Sequence, residues 1–289
     1  CDVSLSQHGS GAATRLVCHY CGYTTIQPGL CPVCGSKYIS GFKAGTQKIE
    51  QVVKARFPQA RVLRMDMDTT RTKDGYEQIL SAFSNHEADI LIGTQMIVKG
   101  HDFPGVTLVG VLAADLSLYI SDYRASERTF QLLTQAAGRA GRGDIPGNVI
   151  IQTYDPDHYS ITTAKEQNYE AFYGQEIEYR KMMRYPPVWN MLYILCASKN
   201  EAAASEAAVA LMGKIDQIVR ENSEKIFSIG PSDAPVAKIS DVYRKVIYVK
   251  TREYQTLVVL KDGLEAFIKD NRLYQNVAVG FDFNPVNGF

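Results

Sequence analysis

With 289 residues, 45% hydrophobic and 21% charged, and Lys+Arg equal to Asp+Glu at 31 each, the chain has the make-up of a soluble globular protein of about two domains. Zero net charge excludes a global basic field as the means of holding nucleic acid, although a local patch needs no basic total. No apolar run is long enough to span a bilayer, and no signal peptide opens the chain.

Five of the six cysteines fall before residue 35, which reads as metal ligation in a reducing compartment rather than a disulfide framework. The chain opens at Cys1 without a Met and reads as a piece excised from a longer protein. Cys18-x-x-Cys21, nine residues, then Cys31-x-x-Cys34 is a zinc-ligand spacing, with Gly22 and Gly35 closing the two knuckles. Four thiolates make a closed, structural tetrahedral site; the competing reading is four buried thiols. Cys1 is a fifth, unpaired candidate. His8 and His19 read as exposed loop residues before they read as ligands. A segment this short with little core needs metal to fold.

Strand and helix patterns alternate next. A strand is expected over Tyr38–Phe42. Gly45-Thr46-Gln47 opens a helix carrying Ile49, Val52, Val53 and Phe57 on one face. A strand over Arg61–Met65 runs into the loop Asp66-Met67-Asp68-Thr69-Thr70, followed by a helix over Gly75–Phe83. The strand Asp89–Ile92 leads to Gly93-Thr94-Gln95, then to Lys99-Gly100-His101-Asp102-Phe103. Further strands are expected over Thr107–Leu112 and Gly147–Gln152, with a helix between them from about Asp122. Such β-α repeats imply a mainly parallel sheet covered by helices, with ligands beyond the carboxyl ends of its strands. Each Gly-Thr-Gln follows a strand and precedes a helical segment. It is either a phosphate cradle of free N–H groups or a plain helix cap. Asp102 either orients an arginine, contacts a ribose hydroxyl, or is a loop carboxylate.

The helix ends in Gln135-x-x-Gly138-Arg139-x-Gly141-Arg142. Two arginines three residues apart at a helix end suit a polyphosphate, since guanidinium is always charged and contacts phosphate oxygens bidentately. The bland alternative is a solvated, glycine-capped helix end.

Residues 158–184 read as helical and stop at Tyr185-Pro186-Pro187; their aromatics read as inter-domain packing. Trp189 and Cys196 read as core. Strands over Trp189–Ala197, Lys225–Ile229, Tyr243–Val249 and Val277–Phe283, with helices over Asn200–Glu221 and Glu253–Lys269, give the ferredoxin-like strand-helix-strand-strand-helix-strand order. Nothing in this order looks catalytic. After the loop Gly230–Pro235, Lys238, Tyr243, Arg244 and Lys245 are either a phosphate- or base-holding group or ordinary strand surface.

The runs GTQMIVKGHDFPGVTLVGVLAAD, ASERTFQLLTQAAGRAGRG and VIIQTYDPDH resemble the second RecA-like lobe of superfamily 2 helicases, and more closely the bacterial primosomal replication-restart helicases. The cysteine segment resembles that family's zinc-binding insertion, and the likeness covers the whole chain, more loosely in the last hundred residues. It implies that Arg139 and Arg142 reach across a cleft to the γ-phosphate of Mg-bound ATP held on a first lobe, with Gln135 and Gly138 shaping the motif. It implies that Gly100 and Asp102 support the nucleotide side, and that Thr46, Gln47, Thr94 and Gln95 meet the DNA backbone. The family's insertion holds two zincs with eight cysteines. Cys1, Cys18 and Cys21 then belong to one site, and Cys31 and Cys34 to the other.

The chain departs from the intact family. It has no G-x-x-x-x-G-K-[ST] run, Gly213-Lys214 lacking the pattern, and no Asp-Glu pair for magnesium. The expectation is therefore that the phosphate loop and Mg ligands lie in a missing N-terminal half and that this piece alone is inactive. The truncated insertion is expected either to gather Cys18, Cys21, Cys31 and Cys34 around one metal, or to stay metal-free and disordered.

The resulting expectation is an α/β chain. Residues 1–37 form a truncated zinc-binding segment, 38–186 a RecA-like parallel-sheet helicase lobe 2 with linking helices, and 187–289 a C-terminal α+β domain. The resemblance implies part of an ATP-dependent 3′-to-5′ DNA helicase that restarts stalled replication forks and helps assemble the primosome. Its expected partners are forked and single-stranded DNA, primosome proteins and single-stranded-DNA-binding protein. The expected setting is a monomer in the bacterial cytoplasm, associated with the nucleoid and with no membrane. The alternatives are a non-enzymatic zinc and DNA adaptor with a degenerate lobe, and a related translocase acting on RNA. The paired arginines weigh against the adaptor, and the cysteine insertion favours the DNA enzyme.

Overall fold

The structure, a computed structural model, describes the chain apart from residues 1–4, 9–14, 19–20, 27, 32–33, 37–44, 71–73, 98–102, 121, 144, 222–225 and 287–289. It divides into two compact units, one of Cys1–Gly29, Ser121–Tyr123 and Gly174–Phe289, the other of Leu30–Ile120 and Arg124–Tyr173. The first unit begins with a small antiparallel meander of β1 (Ser6–His8), β2 (Arg15–Val17) and β3 (Thr24–Ile26). Cys18 follows β2 directly.

The second unit alternates helix and strand: α1 (Thr46–Arg56), β4 (Val62–Met65), α2 (Gly75–Ser84), β5 (Ile90–Gly93), β6 (Leu108–Val111), α3 (Asp115–Leu118), α4 (Ala125–Ala137), β7 (Asn148–Ile151) and α5 (Tyr159–Lys165). The strands run parallel, as the β-α repeat implies, with Met65 opposite Gly93 and Leu108 opposite Asn148. They form two separate pairs, however, not the single sheet expected. No described strand bridges β4–β5 and β6–β7, and the expected strand Tyr38–Phe42 lies outside the described residues. One face of β6–β7 leaves Leu108 60% and Ile150 62% exposed, although parallel sheets are ordinarily covered on both faces.

Helix α1 packs more narrowly than its pattern promised. Ile49 and Val53 are half-buried, whereas Val52 and Phe57 are exposed. The apolar core of this unit lies around α4 instead. Phe130, Leu133, Ile161, Ala164 and Phe172 interlock there, with the rings of Phe130 and Phe172 stacked at 4.2 Å. The region expected to be one helical stretch is two helices, α5 and α6 (Tyr169–Met183). Gln167 takes φ 52° between them, and the side chains of His158 and Asn168 accept main-chain N–H groups at the starts of α5 and α6.

The rest of the first unit is β8 (Asn190–Ser198), α7 (Glu201–Glu221), β9 (Phe227–Ile239), β10 (Val242–Thr251), α8 (Tyr254–Asp270) and β11 (Ala278–Phe283). Their antiparallel sheet has the order β11-β8-β10-β9. Leu192, Ile194, Ile247 and Val249 meet Leu211 and Ile215 of α7 and Leu257, Leu260 and Leu264 of α8 in one core. Ala204, Ala207 and Ala208 are fully buried on α7, small enough to bring the helix close to the sheet. Cys196 is buried there as expected, and burial pushes its thiol up to about 12.

Strand β9 is longer than the sequence suggested and continues through the expected loop Gly230–Pro235, with register shifts against β10 on either side of Ser232–Asp233. Its place at the sheet edge explains this, since Pro231 and Pro235 need supply no ladder N–H there. Ser240 and Asp241, at φ 48° and 63°, make the tight turn into β10. Among the described residues no helix is long and apolar enough to cross a membrane.

Candidate functional site

The arginine motif hangs from the end of α4 on a braced loop. Gly138 caps the helix, its N–H donating to the Thr134 carbonyl at 3.0 Å. Gly141 then reverses the chain at φ +73°, and its N–H reaches the Val106 carbonyl at 3.0 Å, just before β6. A Cβ on Gly141 would stand 2.5 Å from the Gly147 nitrogen, one on Gly147 2.2 Å from the Gly141 nitrogen, and one on Gly143 2.6 Å from the Pro104 carbonyl oxygen. Only bare backbone lets the loop lie against itself and against the entry to β6. Arg142 is exposed and donates Nε–H to the Gly138 carbonyl at 2.7 Å, Arg139 is half-buried, and Gln135 is exposed. The loop thus lies at the amino ends of β6 and β7, not at the carboxyl ends where the sequence reading put ligands. A helix running back against its strand must end there. Gly100 and Asp102 lie outside the described residues.

The two Gly-Thr-Gln segments belong to the opposite kind of edge. Met65 and Gly93 are register partners at the carboxyl ends of β4 and β5, so Asp66 and Thr94 leave the pair side by side. A Cβ on Gly93 would meet the Met65 carbonyl oxygen at 2.7 Å and Ile97 Cγ2 at 2.5 Å, which explains the glycine. Thr46, the first residue of α1, donates its hydroxyl proton to Asp66 Oδ2 at 2.5 Å. The structure therefore brings the start of α1 and the end of β4 together, with Gly93-Thr94 next to them. Gln47, Thr94 and Gln95 are exposed.

Asp66 was missed as a site residue in the sequence. Its Oδ1 accepts the N–H groups of Asp68 and Thr69 at 3.0 Å, and Arg64 joins Oδ2 while reaching Glu50 at 3.1 Å. Burial pushes the Asp66 carboxyl up, but the bonds from Thr46, Thr69 and Asp68 and the charge of Arg64 outweigh it and hold the group below the usual carboxylate range. Asp115 is a second missed carboxylate. It is buried, and it accepts the Thr153 hydroxyl at 2.7 Å and the Tyr154 N–H at 3.0 Å, tying the carboxyl ends of β6 and β7. The signal was an Asp directly after a strand pattern for Asp66 and three residues beyond one for Asp115.

The two Cys-x-x-Cys-Gly turns are built alike. Gly22 N–H donates to Cys18 O and Gly35 N–H to Cys31 O, both at 2.9 Å, with φ +74° and +68° at the glycines. Each turn offers two thiols in a form suited to half of a tetrahedral site. Among the described residues no three His, Cys, Asp or Glu side chains converge as a metal-holding group. Cys1 and His19 lie outside the described residues.

The cations of the β9–β10 hairpin are engaged locally. Lys238 pairs with Asp241 at 3.2 Å, Lys245 with Asp233 at 2.5 Å, and Arg244 donates to the Val236 carbonyl at 3.2 Å. This is the strand-surface arrangement. Trp189 is core as expected, 7% exposed, with the guanidiniums of Arg184 and Arg252 at 5.6 and 5.4 Å from its ring.

Comparison with known proteins finds two family models in tandem. Residues 37–144 match the helicase conserved C-terminal domain, and residues 181–286 match the primosomal protein N C-terminal domain. The α/β fold around the arginine loop is thus that of a helicase conserved C-terminal domain. The "Replication restart protein PriA" of Bacillus subtilis is 45% identical over 287 residues, 99% of this chain and 35% of the relative. That of Synechocystis is 44% identical over 86% of this chain and 30% of its own length, and that of Borreliella burgdorferi 34% identical over 99% and 42%. The chain belongs to this replication-restart family and corresponds to its C-terminal region. It spans about a third of the length of the first two of these relatives.

Proposed function

We propose that the chain is the C-terminal part of an ATP-dependent 3′-to-5′ DNA helicase that restarts stalled replication forks. In this reading Arg139 and Arg142 face the γ-phosphate of ATP held with Mg on another lobe, and Gln135, Gly138, Gly100 and Asp102 shape that side. Charge gathers on the terminal phosphate as the bond breaks, and a guanidinium placed against it lowers the barrier. The observation that carries the reading is the braced loop. A solvated helix end has no need of three glycines packed against backbone, whereas an arginine that must meet a phosphate needs a fixed root. This chain alone is expected to be inactive.

The edge bearing Thr46, Gln47, Thr94 and Gln95 serves as part of the DNA track, where free N–H groups meet successive phosphates. The two cysteine turns hold structural zinc: the thiol donors and the paired knuckle geometry fit it, and the metal when bound supplies folding energy rather than chemistry. In this reading Cys18 and Cys21, with Cys1, belong to one site and Cys31 and Cys34 to another. The C-terminal domain is ferredoxin-like, a reading its sheet order supports, and helps engage branched DNA, primosome proteins and single-stranded-DNA-binding protein. The setting is the bacterial cytoplasm, and the protein acts as a monomer.

The test is ATP hydrolysis with and without forked DNA in a protein of the relatives' full length. Arg142→Ala is expected to cut the DNA-stimulated rate on the order of a thousandfold while nucleotide binding persists. A rate left intact by Arg142→Ala removes the ATP assignment. A full-length wild type without ATPase leaves a DNA-binding adaptor in its place.

A further inference from the structure

The Thr46 hydroxyl has one proton, and the structure commits it to Asp66 at 2.5 Å. A phosphate diester is an anion that only accepts hydrogen bonds. A hydroxyl whose proton is already given to a carboxylate has nothing to offer it, and the carboxylate beside it repels it. What the start of α1 does present is its main chain. The N–H groups of Thr46 and Gln47 have no partner among the described residues, whereas those of Lys48 and Ile49 are turned back to the Gly45 carbonyl. Gly45, as the residue before the helix, supplies no side-chain cap to cover them.

Asp66 is itself held from every side. Asp68 and Thr69 donate main-chain N–H groups to Oδ1, Arg64 sits on Oδ2 and bridges to Glu50 of α1, and the Thr70 hydroxyl closes on the Asp66 carbonyl at 2.7 Å. The carboxylate is a fixed post at the end of β4, and α1 is tied to it at Thr46 and, through Arg64, one turn later at Glu50.

We propose that Asp66 is a positioning residue for the DNA-contacting edge. By accepting the Thr46 hydroxyl hydrogen bond it locks the first turn of α1 beside Gly93-Thr94, so that main-chain N–H groups, not the threonine hydroxyl, meet the phosphate. The inference rests on the reading of this edge as part of the DNA track, and it deepens that reading.

The proposal predicts a sign that simple electrostatics does not. Deleting a carboxylate next to a phosphate site, and freeing a hydroxyl proton there, should tighten DNA binding if Asp66 is a bystander or if Thr46 contacts DNA through its hydroxyl. If Asp66 positions the helix, Asp66→Ala weakens binding instead, by about fivefold, the worth of one hydrogen bond. The salt dependence should become shallower by about one phosphate contact.

The experiment measures single-stranded DNA affinity against salt, and the DNA concentration that half-saturates the ATPase, in a protein of the relatives' full length. Asp66→Ala and Thr46→Val are expected to raise the half-saturating DNA concentration by about the same fivefold. Asp66→Asn, whose amide oxygen still accepts, and Thr46→Ser are expected to restore most of the affinity. Should Asp66→Ala fail to fold, Thr46→Val breaks the same bond and leaves the Asp66 turn intact. Gln47→Glu, at an exposed position on the same turn, checks the underlying reading. If it leaves DNA affinity unchanged, the DNA track assignment falls. If it weakens binding while Asp66→Ala binds as well as or better than wild type, the track stands and the role given to Asp66 falls.

Discussion

Lys250 is 5% exposed. Its ammonium lies 3.8 Å over the Tyr185 ring and donates to the Met183 carbonyl at 3.2 Å. Burial, then the like charge of Arg184, brings its pKa from 10.5 down to about 8. The folded-state value lies below the unfolded one, so between these pH values the unfolded chain holds more protons and stability rises with pH. Urea unfolding followed by the fluorescence of Trp189, the single tryptophan, should show this unit gaining on the order of 1–3 kcal/mol from pH 7.5 to 9.5. Lys250→Met should flatten that rise; a wild type already flat would mean the ammonium is solvated. The glycines of the arginine loop give a second test. Gly141→Ala places a methyl against the Gly147 nitrogen at a left-handed φ, and should lower DNA-stimulated ATPase nearly as far as Arg142→Ala. Gly174→Ala meets nothing within 4 Å in α6 and should be neutral or stabilising by about 0.5–1 kcal/mol in thermal melts.

The core around α4 makes the arginine loop's support a matter of packing. Phe130→Ala removes a ring that is 4% exposed and stacked on Phe172, and should cost about 3–5 kcal/mol, read as a lowered urea midpoint for this unit. On the proposed zinc reading, the cysteine turns are too small to keep their form without the metal. Chelation, or Cys31→Ser, should release zinc and open the turn, seen as lost metal in elemental analysis and faster amide exchange at Gly35. Zinc content unchanged in Cys31→Ser would remove that thiol from the ligand set. The β-α alternation was legible in the sequence because periodicity and β-branched runs are local. The break at Gln167 was not, since a left-handed residue other than glycine leaves no compositional mark. Nor was the length of β9, whose prolines read as a loop until its edge position is known. Asp66 and Asp115 were overlooked for a related reason. Their partners Thr46 and Thr153 lie 20 and 38 residues away, and no short pattern connects them. The arginine motif was readable as a helix end, but its brace was not, because Gly147 and Val106 reach it only through the fold.

Each of the two units has a core of its own, one around Phe130 and Leu133, the other between the sheet and helices α7 and α8. Denaturation should therefore proceed in two steps, with far-ultraviolet circular dichroism recording both and Trp189 fluorescence only the one belonging to its unit. A single coincident transition would mean that the cores unfold together. The sheet order β11-β8-β10-β9 bears on how the chain is made. Strand β8 leaves the ribosome first of the four, and its neighbour β11 leaves last, nearly ninety residues later, with Phe283 paired to Leu192. Until then β8 carries an open edge of unpaired main-chain N–H and C=O groups along an apolar run, so the nascent chain must be sheltered, or emerge quickly, while Met191–Cys196 waits for its partner.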